Sequence, residues 1–188
     1  MPEAAPQRSD AQKNREHILQ VAHDVLAESP DASLNSIAKR AEVGPGTLYR
    51  HFPTREALIL EVYRHDIGRL VGSVPDVLAS HAPLDALRTW FTTMSAYVRI
   101  KHGLGEALHS AAALEVASES WPLVSTAVGR LLEACERNGD VRPGIDPADV
   151  IMLMSCLWRT PNTPEGAAQA DRLMELAIDG FRPRPPRT

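Results

Sequence analysis

A short polar segment after residue 44 carries the side chains that are best suited to bind a charged or polar partner. Four of them, within five positions, offer hydroxyl, guanidinium and imidazole groups: Thr47, Tyr49, Arg50 and His51. Such groups hydrogen-bond phosphate oxygens and the edges of nucleic-acid bases. The sequence shows no nucleophile paired with a base, no carboxylate pair, no phosphate loop and no metal-ligand cluster. We therefore expect a binding protein without enzymatic activity, cofactor or metal.

Two short helices and a turn would position this segment. Ser33 can cap the first helix. The apolar stripe of that helix follows at helical spacing: Leu34, Ile37, Ala38 and Ala41. Gly44 allows backbone angles that other residues resist, and Pro45 fits the first turn of a second helix. Leu48 and Phe52, four residues apart, would hold that helix against the core. The pattern predicts a helix-turn-helix motif, which presents its second helix to the major groove of DNA.

The motif resembles a known family of regulators. The run 46–52, with Ile37-Ala38 before it and 55–58 after it, closely resembles the DNA-binding domain of the TetR family of bacterial repressors. The resemblance covers residues 11–65, and the C-terminal part of the chain is similar to the SbtR-like subgroup. It implies that a set of residues faces DNA: Ser33, Asn35, Pro45, Gly46, Thr47, Tyr49, His51 and Arg55.

The chemistry of these residues suggests different tasks. Arg50 suits guanine and Asn35 suits adenine, so these two are the candidates for base contacts. His51 and Arg55 can clamp backbone phosphates. Tyr49 can offer its hydroxyl to a phosphate, although it could instead be a half-buried packing residue, and His51 could be a surface residue without a partner.

The start of the second helix departs from the pattern of many relatives. Pro45 and Gly46 stand where relatives carry polar or basic residues, and neither has a side chain that forms hydrogen bonds. We therefore expect contacts to thymine methyl groups and the shape of the DNA to carry more of the specificity.

Composition indicates a helical protein with a local basic patch. Of 188 residues, 44% are hydrophobic and 5% aromatic, and no segment alternates apolar and polar residues as a strand does. The net charge is −4, but four basic residues and one acidic residue lie between Lys39 and Arg55, these two included. We expect a few phosphate contacts per subunit and useful affinity only from a dimer.

The lack of a recognisable targeting signal and the setting of the two cysteines favour a reducing compartment. The sequence shows no basic-then-apolar signal and no apolar run of membrane-spanning length, so we expect a cytoplasmic protein without a membrane partner. Cys135 and Cys156 lie in apolar helical runs, which favours buried hydrophobic side chains over a redox role.

Helix signals divide the chain into two parts. We expect a mobile segment at 1–10, a three-helix helix-turn-helix domain at 11–56, a helical bundle at 57–181 for ligand binding and dimerisation, and a disordered tail at 182–188. The helix at 54–71, with Thr54 as its cap, would link the two domains. Further helices, for about nine in all, are predicted at 76–80, 83–101, 104–116, 121–138, 146–159 and 164–180.

Large soft and aromatic side chains of the C-terminal part can line a pocket for a small-molecule effector. The candidates are Trp90, Phe91, Met94, Tyr97, His102, His109, Met152 and Cys156. The alternative for the apolar members is an ordinary bundle core. His102 and His109 are polar groups that can orient a ligand, and two histidines alone make a poor metal site.

The last two predicted helices, 146–159 and 164–180, are suited to dimerisation. The second has small and apolar residues on one face: Ala167, Ala170, Leu173, Met174 and Ala177. The family resemblance implies a four-helix dimer interface built from two such helices per subunit. A two-fold dimer would match a palindromic operator.

These features together predict a ligand-responsive transcriptional repressor that binds double-stranded DNA as a homodimer. Effector binding would favour a conformation in which the two DNA-binding units no longer match the spacing of the groove. The alternative is a helical small-molecule or protein binding module that keeps the motif only for packing. Binding to duplex DNA at low salt separates the two.

Overall fold

A computed structural model describes residues 5–102, 111–161 and 163–183. Over these ranges the chain forms nine α-helices and a single 3-10 turn, and it contains no β-strand. The helices are α1 (Ala5–Glu28), α2 (Leu34–Arg40), α3 (Pro45–His51), α4 (Arg55–Gly72), α5 (Val74–Ser80), α6 (Pro83–His102), α7 (Ala111–Asn138), α8 (Pro147–Met154) and α9 (Pro164–Phe181). The expected all-α fold is confirmed. None of the helices described here combines the length and the apolar character that a membrane span requires.

The described chain divides into two compact units. The first comprises residues 5–66, 100–102 and 111–116, and the second comprises residues 67–99, 117–161 and 163–183. The division falls inside α4, α6 and α7, so each of these three helices contributes residues to both units. The domain limits expected from the sequence, 11–56 and 57–181, concern function and stay a prediction.

The first unit is built around one cluster of buried apolar side chains from α1 to α4. Its members are Ile18, Leu19, Ala22, Val25, Leu26, Leu34, Ile37, Ala38, Ala41, Leu48, Phe52, Leu58, Ile59 and Val62. The cluster contains the whole apolar stripe predicted for the first short helix, together with Leu48 and Phe52 from the second. Because α2 and α3 have seven residues each, they are too short to be stable alone, and this shared core must hold them.

The ends of the short helices are closed by local hydrogen bonds. The Ser33 hydroxyl accepts from the Ser36 amide at 3.1 Å, which confirms the predicted cap of α2. Pro45 occupies the first turn of α3, as predicted. The Thr54 hydroxyl accepts from the Ala57 amide at 3.1 Å and caps α4.

The turn between α2 and α3 differs from the prediction in one residue. Glu42, and not Gly44, takes the left-handed conformation, with φ at 57°. The Val43 amide donates to the Ala38 carbonyl at 3.0 Å and the Glu42 amide to the Lys39 carbonyl at 3.2 Å. This pair of bonds is the Schellman arrangement that commonly ends a helix. Gly44 is extended, with φ at −63° and ψ at 142°, and acts as the cap of α3. The prediction that Gly44 supplies the unusual backbone angles was therefore wrong.

The core of the second unit includes an aromatic pair on α6. Trp90 and Phe91 are buried and meet edge to face, with ring centroids 5.3 Å apart. The indole N–H of Trp90 donates to the Leu70 carbonyl at 2.9 Å, so its polar atom is satisfied inside the core. Burial raises the pKa of the Cys135 thiol to about 11. Cys135 thus matches the predicted buried hydrophobe, while Cys156 is half-buried.

A bidentate ion pair joins α6 to α9. The Arg88 guanidinium donates from two nitrogens to the two carboxylate oxygens of Glu175, at 2.8 and 2.9 Å. The hydrogen bond to Glu175 raises the pKa of Arg88. The same bond lowers the pKa of Glu175. Since both side chains are partly open to water, the pair adds more to the geometry of the two helices than to stability.

The predicted break near residue 120 does not occur. Helix α7 runs without interruption from Ala111 to Asn138 with Pro122 inside it, whereas two helices were predicted at 104–116 and 121–138. A proline in a helix interior costs about 3 kcal/mol. The turns that follow bury Val124, Ala127 and Val128, and that packing offsets the cost. Residues 103–110 lie outside the described ranges.

Two other predicted helix limits differ from the structure. Helix α1 begins at Ala5, so residues 5–10 extend the first helix beyond the predicted domain limit at residue 11, and the mobility expected of residues 1–10 stays a prediction. Helix α8 ends at Met154, and a 3-10 turn at Leu157–Arg159 replaces the rest of the helix predicted at 146–159. Pro161 explains the end of the 3-10 turn, because the residue before a proline is driven to an extended conformation, and Thr160 has ψ at 144°.

Candidate nucleic-acid interface

Helix α3 lies on the surface of the first unit and is held by a single buried side chain. Leu48 is its only fully buried residue. Pro45, Gly46, Tyr49 and Arg50 are exposed, while Thr47 and His51 are half-buried. The helix therefore turns the polar side chains of Tyr49 and Arg50 to the solvent and leaves those of Thr47 and His51 partly accessible, and Tyr49 keeps 44% of its surface exposed.

The first turn of α2 adds to the same surface, because α2 packs against α3. Ser33 and Asn35 are both exposed. The Ser33 hydroxyl is engaged in its cap, whereas the Asn35 amide extends from the first turn into solvent. We call Ser33, Asn35 and the six residues 45–47 and 49–51 the α2–α3 surface.

The basic side chains near this surface differ in their exposure and in whether they already have hydrogen-bond or ion-pair partners. Lys39 and Arg50 are exposed and, among the described residues, have no hydrogen bond or ion pair. Arg40 pairs with Glu28 at 3.3 Å, but both side chains are about 60% exposed (59% and 62%), so the pair is weak and easily exchanged. Arg55 is half-buried, and its guanidinium donates to the carbonyl oxygens of Pro30 and Ala32.

The C-terminal end of α3 is fixed through Phe52. The Arg15 guanidinium lies over the Phe52 ring, 5.5 Å from its centroid, and also pairs with Glu61 on α4. The His51 ring is tilted against the same phenylalanine at a centroid distance of 6.1 Å. An open cleft of about 440 Å³ lies beside His51, lined by Gln12, Arg15, Glu16 and His51. Sequence spacing alone did not indicate this link between α1 and α3.

The candidate effector residues lie in unlike environments. Trp90, Phe91 and Met94 are buried in the core of the second unit, and Tyr97 and Cys156 are half-buried. Met152 is 70% exposed. The side chain of His102 and all of His109 lie outside what the structure describes. Whether any of these residues meets an effector stays a prediction.

A small cleft in the second unit involves other residues than those predicted. Its volume is about 90 Å³, and its lining comes from α6, α9 and the 3-10 turn: Thr92, Ser95, Leu157, Ala167, Ala170, Asp171 and Met174. The sequence gave no sign of a pocket here, because Ala167, Ala170 and Met174 were assigned to the dimer face and Thr92 and Ser95 were not singled out. Within the described ranges, no three His, Cys, Asp or Glu side chains come together as metal ligands would.

Comparison with known families gives two matches that together span most of the chain. Residues 18–62 match the family described as bacterial regulatory proteins, tetR family. Residues 82–183, more than half of the chain, match the C-terminal domain of SbtR-like transcriptional regulators.

Solved structures agree with both matches. A TetR transcriptional regulator from Streptomyces coelicolor is 39% identical, with a TM-score of 0.78 over 91% of this chain and 99% of that one. A TetR transcription regulatory protein from Mycobacterium vanbaalenii is 32% identical, with a TM-score of 0.73 over 94% and 99% of the two chains.

Curated relatives match over the N-terminal part. An HTH-type transcriptional regulator of Staphylococcus aureus (strain MRSA252) is 35% identical over 77 residues, 39% of this chain. The chain spans 40% of the length of that relative. With two family matches and a fold shared along nearly its whole length with TetR regulators, this chain belongs to the TetR family of bacterial regulatory proteins and carries an SbtR-like C-terminal domain.

Proposed function

We propose that the protein is a transcriptional repressor that binds duplex DNA through the α2–α3 surface. The observation that carries this proposal is that Leu48 is the only fully buried residue of α3, while Tyr49 and Arg50 beside it are exposed. Lys39 and Arg50 add exposed cations without partners among the described residues. A short helix with a free polar side and adjacent cations suits insertion into the major groove.

Base contacts and phosphate contacts are divided among these residues. Arg50 and Asn35 reach base edges, because their side chains are long or planar enough and are exposed. Ser33, Thr47, Tyr49 and His51 contact the sugar-phosphate backbone and set the register. Pro45 and the Thr47 methyl offer apolar contact to thymine.

Gly46 supports a close approach of the DNA. A Cβ added at this position would meet nothing within 4 Å inside the protein. The fold therefore does not require glycine here, and alanine would be the better helix former. Close approach of the DNA backbone does require a residue without a side chain.

We further propose that the protein acts as a homodimer through α8 and α9. Met152 and Leu153 on α8 and Leu176 on α9 are large apolar side chains exposed by 70%, 50% and 69%. Of the five residues that the sequence placed on the dimer face, Ala170, Met174 and Ala177 are buried within the second unit, Leu173 is half-buried and Ala167 is exposed. The proposed contact therefore involves the exposed side of α9 that carries Leu176. Two-fold pairing of this kind suits a palindromic operator.

The proposed effector response acts through α4, which runs from the first unit into the second without a break. A small molecule that binds the second unit shifts the DNA-binding equilibrium only if its affinity differs between the two states. By linkage, such a ligand binds the duplex complex more weakly than the free protein by the factor by which it weakens DNA binding. If calorimetry gave the same ligand affinity for the free protein and for its duplex complex, this mechanism would be contradicted.

Replacing Arg50 with alanine tests the DNA contact directly. The loss of one base-reading arginine costs about 1–3 kcal/mol, so Arg50→Ala should bind a selected duplex roughly 5- to 150-fold more weakly and lose preference at one base position. Fluorescence anisotropy at fixed salt measures this, with a duplex recovered from random sequence by selection on the wild-type protein.

Arg130→Ala is the matched control, because Arg130 is an exposed arginine of α7 in the second unit. Arg130 contacts no phosphate in the proposed complex, so the affinity of Arg130→Ala for the duplex should stay within about twofold of that of the wild type. Equal losses in the two variants would contradict the proposed surface. So would a wild-type protein that retains no duplex from the selection in dilute buffer.

Gly46→Ala should separate stability from DNA binding. Alanine is favoured over glycine in a helix interior by about 0.5–1 kcal/mol, so the thermal midpoint should hold or rise, while duplex affinity falls because the added methyl group keeps the DNA away. Gly68→Ala, at an exposed position of α4 with equal free space, should stabilise without loss of affinity. An unchanged affinity in Gly46→Ala argues against a close approach at this residue.

Leu176→Glu tests the dimer. A charge at this exposed apolar position leaves the fold intact but opposes burial in an interface, so sedimentation velocity should show a monomer where the wild type is a dimer. Leu123→Glu changes a leucine of similar exposure on α7 (53%) and should remain dimeric. A wild type that sediments as a monomer at micromolar concentration, or a Leu176→Glu dimer, would remove this part of the proposal.

A further inference from the structure

Arg55 makes contacts that differ from those expected of a phosphate ligand. It is the first residue of α4 and is half-buried. Its Nε donates to the Ala32 carbonyl at 3.3 Å, and its Nη2 donates to the Pro30 carbonyl. Both carbonyls belong to residues 29–33, the α1–α2 loop. The guanidinium therefore spans from the start of α4 to this loop.

Residues 30–32, in the middle of the α1–α2 loop, have few other anchors. At the ends of the loop, the Ser29 amide donates to the Val25 carbonyl at 2.8 Å, and the Ser33 carbonyl accepts from the Ile37 amide at 3.1 Å and from the Ser36 hydroxyl at 2.7 Å. Between them, the Ala32 amide donates to the Ser29 carbonyl at 3.0 Å. Pro30 has no amide hydrogen to donate. Pro30 and Asp31 are exposed, and only Ala32 packs against the core of the first unit. Two charge-assisted hydrogen bonds from one guanidinium are thus a large share of what holds this loop.

The position of the α1–α2 loop decides where α2 begins. Ser33, the last loop residue, caps α2, and Asn35 follows in its first turn. Both belong to the α2–α3 surface. A displacement of the loop would therefore move these two side chains while leaving α3, which Leu48 and Phe52 anchor, in place.

The other cations near the surface make a clear contrast. Among the described residues, Arg50 and Lys39 have no hydrogen-bond or ion-pair partner, so both side chains are free to bind an anion. Arg55 has directed two of its five N–H groups, through Nε and Nη2, into the protein. Rotating the guanidinium outward to a phosphate would leave two loop carbonyls without their donor.

We propose that Arg55 is a positioning residue that holds the α1–α2 loop, so that Ser33 and Asn35 meet DNA, and that it does not itself bind a phosphate. This inference rests on the proposed DNA-binding function and replaces the phosphate clamp expected from the sequence. Arg55 acts on DNA affinity through α2, without contact to the duplex.

The salt dependence of DNA affinity distinguishes the two roles. A phosphate contact contributes about 0.9 to the slope of log affinity against log salt, whereas a positioning residue contributes nothing to it. Arg55→Ala should therefore bind a selected duplex about tenfold more weakly with an unchanged slope, one tenfold step being 1.4 kcal/mol. Arg55→Lys keeps the charge but lacks the fixed fork of donors, and it should also bind more weakly than wild type with the same slope.

Three outcomes would overturn the proposal. One is a slope that falls by about 0.9 per subunit in Arg55→Ala. Another is wild-type affinity in Arg55→Lys, as a phosphate clamp would allow. The third is an unchanged affinity of folded Arg55→Ala, which would reduce Arg55 to a residue of purely structural importance.

Hydrogen exchange in the free protein gives a measurement that needs no DNA. Arg55→Ala, or Arg55→Lys if the alanine variant does not fold, should speed amide exchange at residues 31–36 and leave that of α3 as in wild type. Unchanged exchange at residues 31–36 would overturn the proposal even if the wild type bound no duplex, so its failure is distinguishable from failure of the proposed function.

Discussion

The burial of Leu48 is the interaction on which the presentation of α3 depends. Helix α3 has seven residues, too few to persist in water without tertiary support. Leu48 is fully buried, and Phe52 directly after the helix is buried beside it. Burying one such side chain contributes about 1.5–3 kcal/mol, enough to hold a short helix whose other residues are exposed or only half-buried. A polar surface can therefore be displayed at fixed orientation because so little of the helix is used for its attachment.

The turn before α3 sets the orientation of α3 relative to α2. Glu42 accepts a left-handed backbone so that two hydrogen bonds can close the end of α2. A non-glycine residue in this conformation costs of order 1–3 kcal/mol, which the surrounding helices must offset. Val43, next along the chain, packs partly against the same core. The change of direction between the two helices is thus determined by backbone bonding and by burial on both sides of Glu42.

Local patterns in the sequence were sufficient to predict the all-α fold, the apolar stripe of α2 and the caps at Ser33 and Thr54. These depend on spacing and on side chains within one turn of the residue concerned. The failures had other causes. Two helices were predicted at 104–116 and 121–138, but packing along α7 keeps one helix from Ala111 to Asn138. The unusual backbone angles expected at Gly44 occur at Glu42, because the Schellman bonds decide which residue is left-handed.

Long-range contacts were beyond prediction from the sequence. Nothing around Arg55 indicates that its guanidinium reaches Pro30 and Ala32, more than twenty positions earlier. In the same way, the spacing of apolar residues predicted the apolar face of α9 but could not show which part of the molecule covers it. Met174 and its neighbours are covered within the second unit, because a small bundle needs such a face for its own core before any dimer forms.

Site-specific photo-crosslinking is the most direct test of the claim that the outer side of α3 lies against DNA. With p-benzoylphenylalanine in place of Tyr49, irradiation of the complex with a selected duplex should give a covalent protein–DNA adduct. The same probe in place of His81, an exposed residue of the second unit, should give none. A bound duplex that crosslinks equally from both positions, or from His81 alone, would contradict the account.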